Sequence, residues 1–289
     1  MAVAVALIVA LFLGLVADLA TAVVVRAIWH GGSVWWPLAA VGTDVRLLVM
    51  NQDRISVVEA FSAGLGLLGG ALAAAAAVGA APGNGPFVYL ALALGAMGGH
   101  AAASLSDIGP AELRAKRARF QFVMVEPAFA LALAVGFIRW RAVDLEAVRG
   151  AHDVLGSGTV VGPPLASIGV ILAALVVVFS GALRLAPERA AEPGTGGGSS
   201  LLVTMCRWGL SGATVLVAAA FLAGGENTLT AAWPLDTALL PGLLTAAGGA
   251  LLLGGVRAAL DALPWGMRLL AGWAAALLAA VALELVLLA

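Results

Sequence analysis

The chain has 289 residues, 62% of them hydrophobic and only 11% charged, with a formal net charge of −1. Its mean hydropathy is +1.07. That balance excludes a water-soluble domain, whose surface needs far more charge, and no basic domain is present that could hold nucleic acid.

Long continuous apolar runs recur along the whole length, so the expected class is all-α, a polytopic transmembrane helical bundle. A membrane barrel would show alternating segments of about ten residues instead. Eight spans of roughly the ~20 residues a bilayer needs can be drawn. They are Ala2–Val25, Ser56–Val78, Phe87–Ser106, Phe120–Phe137, Pro164–Leu183, Leu201–Leu222, Thr237–Val256 and Met267–Leu288. Residues 1–289 thus form a single integral membrane domain, with connections at 26–55, 107–119, 184–200 and 257–266 expected on the cytoplasmic side. The first run, MAVAVALIVALFLGLVADLATAVVV, has no positive leader and exceeds a signal-peptide core, so it reads as a retained helix.

Orientation follows from the cations. Eleven of the 15 Lys and Arg residues fall on the odd-numbered connections, counting Arg268 two residues past the last of them, and only Arg139, Arg141 and Arg149 on the even ones. Both termini are therefore expected outside a cell inner membrane. The first connection carries GGSVWWPLAA, an interfacial anchor by its tryptophans, and then GTDVRLLVMNQDR, a short amphipathic stretch. On the outer side RWRAVDLEAVRG reads as a short surface helix, and APERAAEPGTGGGSS as a flexible linker.

The strongest functional signal is ELRAKRARFQFVMVEPAFALALAVGF. Arg114, Lys116, Arg117 and Arg119 lead into an apolar helix that carries Glu126-Pro127. A carboxylate at membrane depth costs about 2.5–3.5 kcal/mol on insertion scales, and the proline removes a helix hydrogen bond. Two local rules broken at adjacent positions point to function. Glu126 is either a protonatable relay or a neutral acid hydrogen-bonded to a neighbouring helix. Arg119, seven residues earlier on the same face, is the partner the sequence offers, through water. His100, Ser104 and Asp107 form a second polar stripe, as a proton path or as a helix contact. Arg207 shares a face with Thr204, Ser211 and Thr214, and either snorkels or packs against a cytoplasmic loop. Asp18 and Glu59 lie near the cytoplasmic ends of their spans and either line a cavity or sit at the interface. The single cysteine, Cys206, excludes an internal disulfide and a cysteine-ligated cluster, and His30, His100 and His152 lack ligand spacing. No metal site and no soluble-enzyme motif is legible.

Arg117 followed by VMVEPAFALAL, TMCRWGLSGATVLVAAAFL in the sixth span, and VRAALDALPWGMRLL before the last resemble a known family. It is that of the eight-span membrane-anchor subunit of the proton-pumping NADH–quinone oxidoreductase, respiratory complex I. The resemblance is closer to its counterparts in formate hydrogenlyases and energy-converting membrane-bound hydrogenases. It implies a non-catalytic membrane subunit of a multi-subunit oxidoreductase that docks a peripheral redox arm and contributes to proton translocation. Antiporter-like membrane subunits and hydrogenase- or dehydrogenase-like peripheral subunits would be its partners. Iron–sulfur and nickel–iron or flavin centres would sit on those partners, and none on this chain. Glu126, His100, Asp107, Glu59 and Asp18 become proton-path candidates. Arg114, Lys116, Arg117, Arg119, Asp44, Arg46, Arg184, Glu188 and Arg207 become docking or charge-tuning candidates.

The chain departs from the family in two places. Only Asp44 and Arg46 survive of the first-loop helix. The third cytoplasmic loop has shrunk to ALRLAPERAAEPGTGGGSS, with Gly181 where the family has a membrane-depth glutamate. That erosion counts against quinone binding and against a complete proton path. A stand-alone secondary transporter using the same carboxylate, or a purely structural anchor, are the alternative readings.

Overall fold

A computed structural model describes residues 2–25, 57–105, 110–140, 142–145, 147–148, 164–185, 197–223 and 239–288. Asp44, Arg46, Asp107 and Glu188, singled out above, lie outside them. The described residues form eight helices and no strand: α1 (Ala2–Val23), α2 (Val57–Ala77), α3 (Gly85–Leu105), α4 (Pro110–Arg139), α5 (Pro164–Arg184), α6 (Gly197–Ala223), α7 (Leu239–Ala262) and α8 (Trp265–Leu287). Each contains a stretch long and apolar enough to cross a membrane. The expected all-helical bundle is what the chain forms.

The helix ends differ from the hydropathy reading. α4 begins at Pro110, not near Phe120, and α7 runs to Ala262, so much of 107–119 and 257–266 is helix. Hydropathy stops at the first charge, whereas Ala, Glu, Leu, Arg and Lys are all strong helix formers and carry the helix on. Gly197 and Gly198, assigned above to a linker, open α6. Arg114 falls within the first turns of α4.

α6 is the hub, packed against α1, α2, α3, α5 and α7. α8 lies at the edge on α4 and α5, and is the most exposed of the eight. Lipid tails give no hydrophobic drive between helices, so close backbone approach through small residues has to supply the contact. A Cβ added at Gly98 of α3 would lie 2.7 Å from the Ser62 carbonyl oxygen and 2.8 Å from Gly66 Cα on α2. One added at Gly212 of α6 would lie 2.6 Å from Ala10 Cα on α1. Gly248 on α7 faces open space. Gly212→Ala should therefore force α1 off α6 and cost about 1–3 kcal/mol. Gly248→Ala should be neutral or stabilising by up to ~1 kcal/mol through helix propensity. Thermal unfolding of the two variants in mild detergent checks this, and equal stability would contradict the contact.

These contacts also fix which helix ends share a side. Gly14 meets Trp208 while Gly212 meets Ala10, so α1 and α6 are antiparallel. Phe120 stacks on Trp265 and Val125 meets Gly272, so α4 and α8 are parallel. The last turns of α1, α3, α5 and α7 and the first turns of α2, α4, α6 and α8 gather at one end of the bundle. At the other end Gly79, at φ 77°, turns α2 into α3. There Leu145 N–H donates to the Gly83 carbonyl at 2.9 Å. Leu145 and Val148, beyond α4, are both fully buried.

Candidate functional site

Buried charge concentrates at the end formed by the first turns of the even helices. Two clusters lie there, side by side. Cys206, next to Arg207, meets Gly99, next to His100, so both clusters sit at one level.

The first cluster joins α3, α4 and α5. Glu126 lies seven residues into the apolar part of α4, about 10 Å along the axis. α4 continues unbroken through Pro127. The Glu126 partner is Arg184, the last residue of α5. Its Nη2 donates to Glu126 Oε1 at 2.6 Å and its Nε to the same oxygen at 3.2 Å. The guanidinium is 1% exposed and lies 3.7 Å from the Phe129 ring centroid and 5.5 Å from that of Phe122. Phe122, Glu126 and Phe129 are spaced four and three along α4, so one helix face supplies the counter-charge and both aromatic faces. Glu126 Oε2 is buried without a hydrogen bond of normal geometry. Tyr89 of α3 stands beside the pair and interacts with both members.

The same end of α5 is held through its backbone. His100 Nε2 donates to the Arg184 carbonyl at 2.8 Å and Gln121 Nε2 to the Leu183 carbonyl at 3.0 Å. These are two of the four carbonyls a helix terminus leaves unsatisfied. His100 therefore makes the cross-helix contact weighed above. Arg119, the partner suggested by same-face spacing, is exposed.

The second cluster joins α1, α6 and α7 around Asp18. One carboxylate oxygen accepts from Arg257 Nη1 at 2.7 Å, and the other from Trp208 Nε1 at 2.6 Å and from Arg207 Nη2. Thr21 Oγ1 adds a bond from α1 to the Gly254 carbonyl at 3.1 Å. The Arg-Trp-Gly step of α6 thus supplies two donors to one acid. Arg184 and Arg207 were expected to serve docking or charge tuning. Their side chains are buried and ion-paired, Arg184 with Glu126 and Arg207 with Asp18. Asp18, expected to line a cavity or to sit at the interface, is buried and ion-paired. Glu59 is buried near the start of α2. Lys116, Arg117 and Arg119 are exposed on the first turns of α4.

Gly181, where the resembled family has a glutamate, packs against α6: a Cβ there would lie 2.6 Å from Thr214 Cγ2. A side chain there would have to displace that of Thr214. Among the described residues no group of three His, Cys, Asp or Glu could hold a metal ion. Chemically, the first cluster offers a carboxylate held by an arginine, with Tyr89 as a second polar neighbour. The second offers a fully committed carboxylate.

No protein-family model and no curated sequence matches the chain. A solved structure does. The fold is shared with a chain of the membrane-bound sulfane sulfur reductase (MBS), an archaeal respiratory membrane complex. The TM-score is 0.71 at 16% identity, over 99% of this chain and 98% of that chain.

Proposed function

We propose that this chain is a membrane subunit of a multi-subunit respiratory oxidoreductase, and that the Glu126–Arg184 pair is its protonatable element. The observation that carries the reading is a carboxylate within the apolar part of α4, with Oε1 held by Arg184, Oε2 buried without a hydrogen bond of normal geometry, and Tyr89 beside the pair. The fold likeness to a chain of a respiratory membrane complex supports the setting.

The chemistry runs through the pair. A proton arriving at Oε2 neutralises Glu126 and loosens its hold on Arg184. The guanidinium keeps its seat on Phe129 and Phe122, which offsets part of the lost counter-charge, so the protonated state is a high-energy one that the arginine drives back to the ion pair. When the proton departs, the ion pair re-forms. His100 and Gln121 hold the end of α5 in register throughout, because they bind backbone rather than charge. The peripheral redox arm, with iron–sulfur and nickel–iron or flavin centres, would dock on the odd-numbered connections at this end, on the cytoplasmic side. Quinone has no part in this reading.

Mass spectrometry of the tagged protein purified in mild detergent tests the assignment. Redox subunits and antiporter-like membrane subunits are expected to co-purify in fixed ratio. Recovery of the chain alone would overturn the reading and favour a stand-alone transporter. A structural anchor is the second reading, and the saturation of Asp18 by three donors favours it for the α1–α6–α7 side.

A further inference from the structure

The first turns of α4 and α8 share an exposed surface that the proton chemistry does not use. α4 has 30 residues and is about 45 Å long, against ~30 Å of bilayer hydrocarbon. Its apolar part starts at Arg119, so the preceding turns stand outside the span. Phe120 and Trp265 stack with centroids 6.0 Å apart, and both remain partly exposed, at 50% and 37%. Trp265 is of the residue type that anchors helices at the hydrocarbon boundary. Arg117 lies over the Trp265 ring, 5.7 Å from its centroid. Lys116 lies one turn above Phe120, about 6 Å further out. The headgroup layer is about 5–7 Å deep on each side, so Lys116 and Arg117 fall within it. Below the aromatics the same two helices expose Val123, Leu270 and Trp273 to the membrane.

From Pro110 to Arg119 the sequence of α4 carries four cations, Arg114, Lys116, Arg117 and Arg119, against one acid, Glu112, and Arg268 of α8 contacts Asp261 at 3.4 Å. The surface is therefore cationic at headgroup depth and apolar beneath.

We propose that Lys116, Arg117 and Trp265 form a binding site for the phosphate headgroup of an anionic phospholipid. Its acyl chains lie along Val123 of α4 and Leu270 and Trp273 of α8. An acidic protein surface would meet the same cations. The continuation of the patch into exposed apolar side chains on the most exposed helix favours lipid. The proposal does not depend on the oxidoreductase reading.

Native mass spectrometry of the full chain in mild detergent, titrated separately with phosphatidylglycerol and phosphatidylcholine, tests it. Wild type is expected to prefer phosphatidylglycerol, and that preference should weaken as salt is raised. Each cation near a charged headgroup is worth about fivefold in affinity, so Lys116→Gln with Arg117→Gln should cut the preference about 25-fold. Phosphatidylcholine binding should be unchanged. Trp265→Leu should weaken phosphatidylglycerol binding while leaving the charge in place. Equal affinity of wild type for the two lipids would overturn the proposal. So would a double variant that binds lipid normally but loses a protein subunit, which would make the surface a protein contact.

Discussion

Asp18→Asn is expected to lower the unfolding free energy of the bundle by about 3–5 kcal/mol, the cost of removing one partner from a buried ion network. Asp18 is the acid that bridges Arg207 and Arg257, and it also accepts from Trp208. An asparagine supplies one acceptor oxygen and turns an amide N–H₂ toward groups that only donate. Both guanidiniums would then sit among apolar helices without that counter-charge. Folded domains are stable by only about 5–15 kcal/mol, so a large part of the margin would go at one position. The damage would fall on the junction of α1 with α6 and α7, because those are the helices Asp18 joins. Asp18→Glu keeps the charge and should cost far less. Denaturant titration of the purified variants in mild detergent measures the difference. A loss below about 1 kcal/mol for Asp18→Asn would mean that the arginines are neutralised by other means, and Asp18 would not be the acid that holds α1 to α6 and α7.

The eight spans and the odd depth of Glu126 are legible in the sequence because both follow from local composition. Its partner is not. Helical spacing reveals only neighbours on the same helix, so Arg119 was the cation the sequence could offer, whereas Arg184 is 58 residues away on α5. The Asp18 cluster was hidden for a related reason. Asp18, Arg207 and Arg257 each lie near the end of a span, where a charge is ordinarily interfacial. Only the packing of α1 against α6 and α7 turns three such residues into a buried network. Tyr89 and Gln121 were missed outright. A signal existed for each. Tyr89 is the single tyrosine of the chain and lies eleven residues before His100, on the same face of α3. Gln121 is a lone amide at the start of an apolar run, where it can satisfy another helix's terminus. The helix ends were misplaced because hydropathy measures membrane preference and not helix propensity.

The Glu126–Arg184 pair separates the two readings of the chain through a double-mutant cycle. Glu126→Gln alone leaves Arg184 buried without its counter-ion, and Arg184→Met alone leaves a buried carboxylate. Each should cost about 3–5 kcal/mol. The double variant removes both charges, and replacing a buried ion pair by neutral groups is often close to neutral. His100 and Gln121 bind the backbone carbonyls of Arg184 and Leu183, so the end of α5 stays docked in all three variants. The double variant should therefore recover most of the stability lost in either single one, with an interaction energy at or above the ~0.5–3 kcal/mol usual for contacting residues. Proton movement by the assembled complex in sealed vesicles then decides the role. If Glu126 carries the proton, the stable double variant assembles with its partners and moves none. Proton movement at the wild-type rate would show that the pair only joins α4 to α5, and the carboxylate would have no place in a proton path. A single Glu126→Gln variant cannot make that distinction, because lost stability and lost transport would arrive together.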